Sequence, residues 1–387
     1  MKKASIVVDL GYGDAGKGML TDALVRRTGA RVVVRYNGGA QAGHNVVTAD
    51  GRHHTFAQLG AGSFVPGTVT WLGPEVIVHP TALLAELRIF ADKAPLPEVW
   101  LSPACRVVTP WHQALNRLRE LARGPARHGS CGVGIGEVVR DALANVPIRA
   151  GDLGDHLIER AEAVRRRLWP EAETLATDDR ELRAFRDPDV VERWARAAVP
   201  VVSRVHDGLA ETLERAEHVV FEGAQGVLLD ETFGFAPHTT WSTTTDRHAL
   251  TLVGDRDRCV LGVIRAWMVR HGAGPLASED PAVTMEDHNA ANAWQGAVRY
   301  GHFDAELLRY SLGVQPVDRL VVTHMDALAR QPWRPVERWD NGPVFGAEHR
   351  DEGEVRAAIA ALLGRPVDGV SRGPTEETLD LPLRPGS

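Results

Sequence analysis

Apolar and polar positions follow two periods along this chain. Short runs rich in β-branched residues read as strands: Ala4–Leu10, Arg31–Arg35, Thr68–Leu72, Glu75–Val78, His218–Glu222, Cys259–Arg265 and Arg319–His324. Between them apolar residues recur at helical spacing. Met19–Arg27 places Leu20, Leu24 and Val25 on one face, Pro80-Thr81 opens a helix carrying Leu83, Leu84 and Leu87, and Trp111–Leu121 and Gly353–Leu363 read the same way. Residues of about 155–216 are rich in Arg, Glu and Ala with helical apolar spacing, and lack the Gly/Ser runs of a linker. They read as a helical insertion, with Arg165-Arg166-Arg167 on a solvated face. Strands alternating with helices predict an α/β fold whose central, mainly parallel sheet is flanked by helices. No internal repeat or clean linker interrupts residues 1–387, so a single elaborated domain is expected.

Two glycine-rich segments follow strands and therefore fall at the ligand-binding edge of such a sheet. The first is Gly11-Tyr12-Gly13-Asp14-Ala15-Gly16-Lys17-Gly18, leading into a helix. Glycines let backbone N–H groups approach phosphate oxygens, the helix N-terminus adds positive potential, and Lys17 adds a point charge. Gly11-x-x-x-x-Gly16-Lys17 has Walker A spacing, but Gly18 stands where Ser or Thr would hold Mg²⁺. Asp14 is then the candidate metal ligand. The second segment is Asn37-Gly38-Gly39-Ala40-Gln41-Ala42-Gly43-His44. There His44 can serve as a general acid or bind a phosphate as charge develops.

Composition narrows the class. The chain has 387 residues, 44% hydrophobic and 25% charged, which is ordinary for a globular protein. A net charge of −7 argues against nucleic acid as the main partner. Cys105, Cys131 and Cys259 are scattered and odd in number, which argues against a disulfide framework or a structural zinc site. The N-terminal apolar run is too short for a signal-peptide core, and no stretch approaches the roughly 20 apolar residues of a membrane span. A cytoplasmic location is expected.

The ordered motifs resemble the adenylosuccinate synthetase family across nearly the whole chain. Gly13–Gly18 resembles its Gly-Asp-Glu-Gly-Lys-Gly, and Gly38–His44 its Gly-Gly-Asn-Asn-Ala-Gly-His. Glu222–Gly226, Thr240 with Ser242–Thr245, Gly262–Ala266 and Arg270–Pro275 match further stations in order. Thr323-His324-Met325-Asp326 resembles the guanine motif Thr-Lys-Leu-Asp, and Ser371-Arg372-Gly373-Pro374 with Glu377-Thr378 the terminal segment. The resemblance implies a P-loop-like domain, a homodimer in purine biosynthesis, and small-molecule substrates with GTP and Mg²⁺. An Asp removes a proton from IMP, the 6-oxygen takes the γ-phosphate of GTP, and the amine of aspartate displaces that phosphate. On this chain Asp14 matches the base and His44 the acid. Gly13, Gly16, Lys17, Gly18, Gly43, Gly373 and Pro374 match phosphate and nucleotide contacts, and Asp14 and Gly43 the metal site. Gln41, Ser130, Cys131, Gln225 and Thr240 match the acceptor site. Asp326 has physics of its own, since a carboxylate accepts from guanine N1–H and the 2-amino group together, a donor pair adenine lacks.

Two departures alter the expected substrates. The family's aspartate loop Thr-Thr-Gly-Arg-x-Arg-Arg becomes Ala293–Arg299, with Gly296 and Val298 at two arginine positions and only Arg299 kept. Losing such charge-assisted partners removes several kcal/mol of binding. Trp294, in the same loop, is expected to line an apolar amine pocket. The family's Gly-Thr-Thr-Gly-Arg-Gly-Ile-Gly becomes Gly129–Gly136, and its partner-reaching arginine becomes Asn145, with Arg140 and Arg149 nearby. Cys131 reads as a packing residue. The expectation is a GTP-dependent ligase with altered acceptor and amine. A housekeeping adenylosuccinate synthetase, a carboxylate-activating amide ligase and a non-catalytic GTP sensor stand as alternatives. A GTPase switch would need Ser or Thr after Lys17 and a full Asn-Lys-x-Asp.

Overall fold

A computed structural model of the chain describes residues 2–175, 178–285 and 294–382. Nine strands form one sheet: β1 Lys3–Asp9, β2 Val32–Arg35, β3 Val69–Leu72, β4 Glu98–Leu101, β5 His218–Glu222, β6 Asp257–Arg265, β7 Arg319–Thr323, β8 Gly369–Ser371 and β9 Leu379–Asp380. Their order is β9-β8-β7-β6-β1-β5-β2-β3-β4. All neighbours run parallel except β9, which pairs antiparallel with β8 at the edge. The central strands are near-continuous apolar runs because helices cover both faces. Ile6, Val7 and Val8 of β1 and Val33 and Val34 of β2 are all inaccessible to solvent.

The parallel arrangement has one consequence for function. The loops after β1, β2, β5, β6 and β7 all leave the same edge of the sheet, so stretches more than 300 residues apart in sequence converge there.

Element existence follows the apolar periodicity, while several boundaries move. The first helix runs Lys17–Thr28, starting at the lysine of the loop. The strand expected over Glu75–Val78 shrinks to Ile77–Val78, paired with Arg106–Val107 outside the main sheet. His44 ends no loop: it opens the ribbon strand His44–Val47, paired with His53–Phe56. Two further helices, Ile135–Leu143 and Ala305–Val314, are present.

Between residues 157 and 215 the insertion holds helices Leu157–Thr174, Asp179–Arg186, Asp189–Ala198 and Leu209–Arg215. The first three share a core with helices Pro80–Ala91 and Pro110–Arg123, in which Trp111 donates its indole N–H to Ala184 O at 2.9 Å. Arg165 and Arg166 pair with Glu162 on the surface, as a solvated face requires. Arg167 departs from that expectation. Its guanidinium grips both carboxylate oxygens of Asp141, tying the insertion to the helix Ile135–Leu143. No helix among the described residues is long and apolar enough to cross a membrane.

Candidate active site

The loop after β1 is organised by a residue that its glycine spacing does not reveal. Asp9, buried at the end of β1, accepts from Gly11 N at 2.8 Å, Gly13 N at 3.3 Å and Ala15 N at 2.9 Å. It also accepts from Lys17 Nζ at 2.9 Å, and both side chains of this ion pair are fully buried. Lys17 donates as well to Gly13 O. Lys17 therefore points into its own loop. Gly16 and Gly18 serve packing: a Cβ on Gly18 would lie 2.9 Å from His44 Cβ and from Asn45 O. The absent hydroxyl after the lysine makes room for the ribbon that carries His44.

The turn Glu222–Gly226 is wedged between both glycine-rich loops. A Cβ on Gly226 would fall 2.3 Å from Gly11 O, so only glycine allows this approach. Asn37, fully buried, ties the same turn to the second loop. Its amide donates to Ala224 O and Thr243 O and accepts from Ala224 N at 2.7 Å. The wedge holds Gln225 at φ 63°, an uncommon conformation for a non-glycine residue.

His44 stands on a buried charge relay. Its Nδ1 lies 2.6 Å from Glu222 Oε1, Glu222 Oε2 accepts from Ala61 N at 3.0 Å, and Arg35 Nε lies 4.0 Å away. Burial first, then the Arg35 charge, holds the imidazole down to about 4 against the pull of Glu222. At neutral pH the ring is thus uncharged with its proton on Nδ1, and Nε2 is buried with its lone pair unpartnered. To act as an acid, His44 must first take a proton.

Asp14 Oδ2 lies 2.5 Å from His271 Nε2, and Arg265 donates to the Asp14 carbonyl at 3.1 Å. Burial opposes ionisation of Asp14. The hydrogen bond and charge of His271, with Lys17 and Arg265 beyond, outweigh it and hold the carboxyl below its usual range.

These groups open into a cavity of about 890 Å³. Of the residues singled out by sequence, Gly13, Asp14, Gln41, Gly43, His44, Ser130, Cys131, Gln225 and Thr240 line it together. Both amide atoms of Gln41 are buried without a partner. Burial pushes the Cys131 thiol up to about 11, in keeping with a packing role.

The remaining candidates lie elsewhere. Asp326 follows β7 beside the first loop, where Thr323 Oγ1 donates to Ala15 O at 2.9 Å, and its carboxylate lies 3.7 Å from Arg330. Gly373 and Pro374 follow β8, the neighbouring strand, with Ser371 Oγ donating to Gly373 O. Trp294 packs against Gly132 and under the Arg117 guanidinium, 5.2 Å from its ring centroid; Gln295 lines the cavity in its place. Arg299 donates to Gly272 O, Gly274 O and Glu279, so its guanidinium braces the neighbouring loop. Ala293 lies outside the described residues. Arg140, in contrast, lines the cavity 5.3 Å from the Trp241 ring, while the exposed Asn145 does not line it.

Mg²⁺ fits this donor set. It binds through one or two carboxylates together with substrate phosphates, and Asp14 and Gly43 line the same cavity. Among the described residues no all-protein cluster of three acidic, His or Cys ligands is assembled.

A family model described as adenylosuccinate synthetase matches residues 6–333. An adenylosuccinate synthetase of Hahella chejuensis is 32% identical over 343 residues, 85% of this chain and 78% of the relative. One of Alkalilimnicola ehrlichii is 35% identical over 341 residues, with the same coverage. Among solved structures, a fully ligated adenylosuccinate synthetase of Plasmodium falciparum superposes with a TM-score of 0.77 at 18% identity, covering 98% of this chain and 99% of that one. Succinoaminodeoxyadenylate synthetase of cyanophage S-2L, bound to dGMP and dATP as an energy donor, gives 0.67 at 19% identity, covering 98% and 95%.

Two predictions follow from the buried charges. Asp9→Ala leaves Lys17 buried and unpaired and is expected to destabilise the fold by about 3–5 kcal/mol in denaturant unfolding. An unchanged midpoint would show that the pair is not structural. The His44 pKa is depressed in the fold, so the unfolded chain binds more protons between about pH 4 and 6.5, and stability falls as pH drops through that window. From pH 7 to pH 5 the wild type should lose about 2 kcal/mol more than His44→Gln, at about 1.4 kcal/mol per unit. Parallel losses in calorimetry would contradict this.

Proposed function

The chain belongs to the adenylosuccinate synthetase family of GTP-dependent carbon–nitrogen ligases, and we propose that it runs the family's two steps on an altered acceptor and amine. The observation that carries this reading is the contrast within one cavity. Asp14, His44 and Gln225 line one cavity, which supports acceptor phosphorylation there. Arg299, the guanidinium kept in the amine loop, is instead bound by backbone carbonyls and Glu279.

In the proposed mechanism, Asp14 takes a proton from the acceptor as its oxygen attacks the γ-phosphate of GTP. Its lowered pKa keeps it ionised and ready to do so. His44 Nε2 faces the transferring group. The phosphates bring negative charge that favours protonation of the ring, which then donates to them while Glu222 holds Nδ1. Mg²⁺, held at Asp14 and Gly43, would neutralise phosphate charge. An amine then displaces the phosphate.

On the acceptor side, Gln41, Ser130, Gln225 and Thr240 supply polar contacts around a nucleoside-like group, with Cys131 as packing. Arg140 supplies a cation that no carboxylate engages among the described residues. This differs from the loss of positive charge expected at Asn145, because a guanidinium one helical turn earlier reaches the cavity. The cyanophage neighbour holds dGMP and dATP, which supports the idea that this fold serves more than one pair of purine substrates. Asp326 is proposed to read guanine, with Gly16, Lys17, Gly18, Gly373 and Pro374 shaping the nucleotide side. A homodimer working in the cytoplasm on small molecules completes the proposal.

Purified protein with Mg²⁺, GTP, IMP and aspartate provides the test, with phosphate release and product mass as readouts. The expected outcome is little or no adenylosuccinate, and GTP turnover with another nucleoside or amine. Vigorous adenylosuccinate formation would sink the altered-substrate reading and leave the housekeeping one. Separately, Asp326→Ala removes the paired acceptor for guanine and should lower the GTP-over-ATP preference in kcat/KM by roughly 10- to 100-fold. An unchanged ratio would place guanine recognition elsewhere.

A further inference from the structure

A second cavity, of about 650 Å³, opens at the other end of the sheet, where β2 and β5 begin. That volume lies within the range of small-molecule sites. Its aromatic wall is built by strand register. Trp71 of β3 and Trp100 of β4 are direct neighbours across the parallel pair, with ring centroids 6.4 Å apart. His206 follows beside β4, donating its backbone N–H to Leu101 O at 2.9 Å, and its ring lies 5.3 Å from Trp100 and 6.1 Å from Trp71. Gly208 fixes that ring: its N–H donates to His206 Nδ1 at 2.8 Å, and a Cβ there would fall 2.4 Å from the imidazole. In the neutral ring the proton is then on Nε2, at an exposed residue, with no partner among the described residues. Trp71 is buried, and its indole N–H also lacks a partner. Thr212 donates its hydroxyl proton to Gly208 O at 2.9 Å, so what it offers a ligand is lone pairs. Among the other lining residues, Arg31 and Arg215 are matched in charge by Glu211 and Glu217, and His218 is engaged by Ser5 Oγ at 3.0 Å.

We infer that this second cavity binds a neutral, planar heteroaromatic ring of the nucleobase type. Balanced charge gives an ion no net attraction, whereas indole and imidazole faces take a flat ring by stacking. His206 Nε2–H calls for a ring nitrogen or carbonyl as acceptor, and the Thr212 oxygen calls for a ring or exocyclic N–H as donor. A nucleobase carries both along its edge. An aliphatic ammonium or a hydrocarbon ring does not. No lining residue is shared with the first cavity, so this site is separate from the acceptor and amine sites proposed above and does not rest on that reading.

The test reads the two cavities separately. Full-length protein with ¹⁵N in its ten indoles is titrated with adenine, and the indole N–H resonances are followed by NMR. Trp71→Phe and Trp100→Phe assign the two signals of this cavity, and Trp241→Phe assigns one of the first. Adenine is expected to shift the Trp71 and Trp100 signals saturably, with a Kd of about 1 mM or tighter. His206→Ala and Thr212→Val, each removing one edge contact, should weaken that binding roughly 10-fold. Choline chloride and inorganic phosphate should leave both signals in place. Trp71 and Trp100 signals unmoved at about 5 mM adenine overturn the inference, whether or not Trp241 responds. Shifts produced by choline or phosphate at equal or lower concentration also overturn it, since they mark an ion site. Undiminished adenine binding in both variants overturns it as well, because the hydrogen-bonding edge is then not read.

Discussion

A carboxylate buried at the end of the central strand sets the geometry of everything around it. Asp9 collects three backbone N–H groups and an ammonium, the same donor types that a phosphate-binding loop offers to a nucleotide. A buried charge pair of this kind adds little net stability, but breaking it leaves an uncompensated ion. The loop is therefore held in one conformation. That conformation keeps Gly11 O where Gly226 can approach it, which in turn holds Gln225 in its strained backbone at the cavity.

A second buried relay sets the electrostatics. Arg35, Glu222 and His44 link the ends of β2 and β5 to the first ribbon. Glu222 fixes the tautomer of His44, as a carboxylate behind an imidazole does in many active sites. Burial then keeps the ring neutral until a ligand changes the balance. The phosphates of a nucleotide are the natural source of that change, so proton uptake at His44 and nucleotide arrival are coupled in the proposed mechanism.

The fold was legible because periodicity reports burial, and burial is what a doubly covered parallel sheet imposes on its strands. Boundaries were less so. Lys17 and Gly18 read as loop but are helical, since the helix needs only backbone geometry there. Of the cavity residues, Gln41 and Gln225 came only through the family resemblance, while Asp14 and His44 were readable from glycine-rich loops at strand ends. Asp9, Asn37 and Glu222 were not, because their roles are made by partners distant in sequence. A signal existed: each is a polar residue at or just beyond the end of a buried apolar strand, at the ligand edge. Arg299 shows the opposite failure. Its identity suggested a ligand contact, while antiparallel pairing against Arg270 turns it toward carbonyls of the adjacent loop.

That turn divides the two sides of the cavity. On the nucleotide side, buried charges are neutralised inside the protein, so the machinery is pre-organised before substrate arrives. Beside the ribbon Met268–His271/Val298–Gly301, the guanidiniums of Arg270 and Arg299 brace loops through backbone carbonyls. A guanidinium whose donors already point at backbone carbonyls can meet a carboxylate only by breaking those bonds, which would release the loop it braces. The substrate range of this site is thus set by scaffold bonds as much as by the side chains that face the cavity.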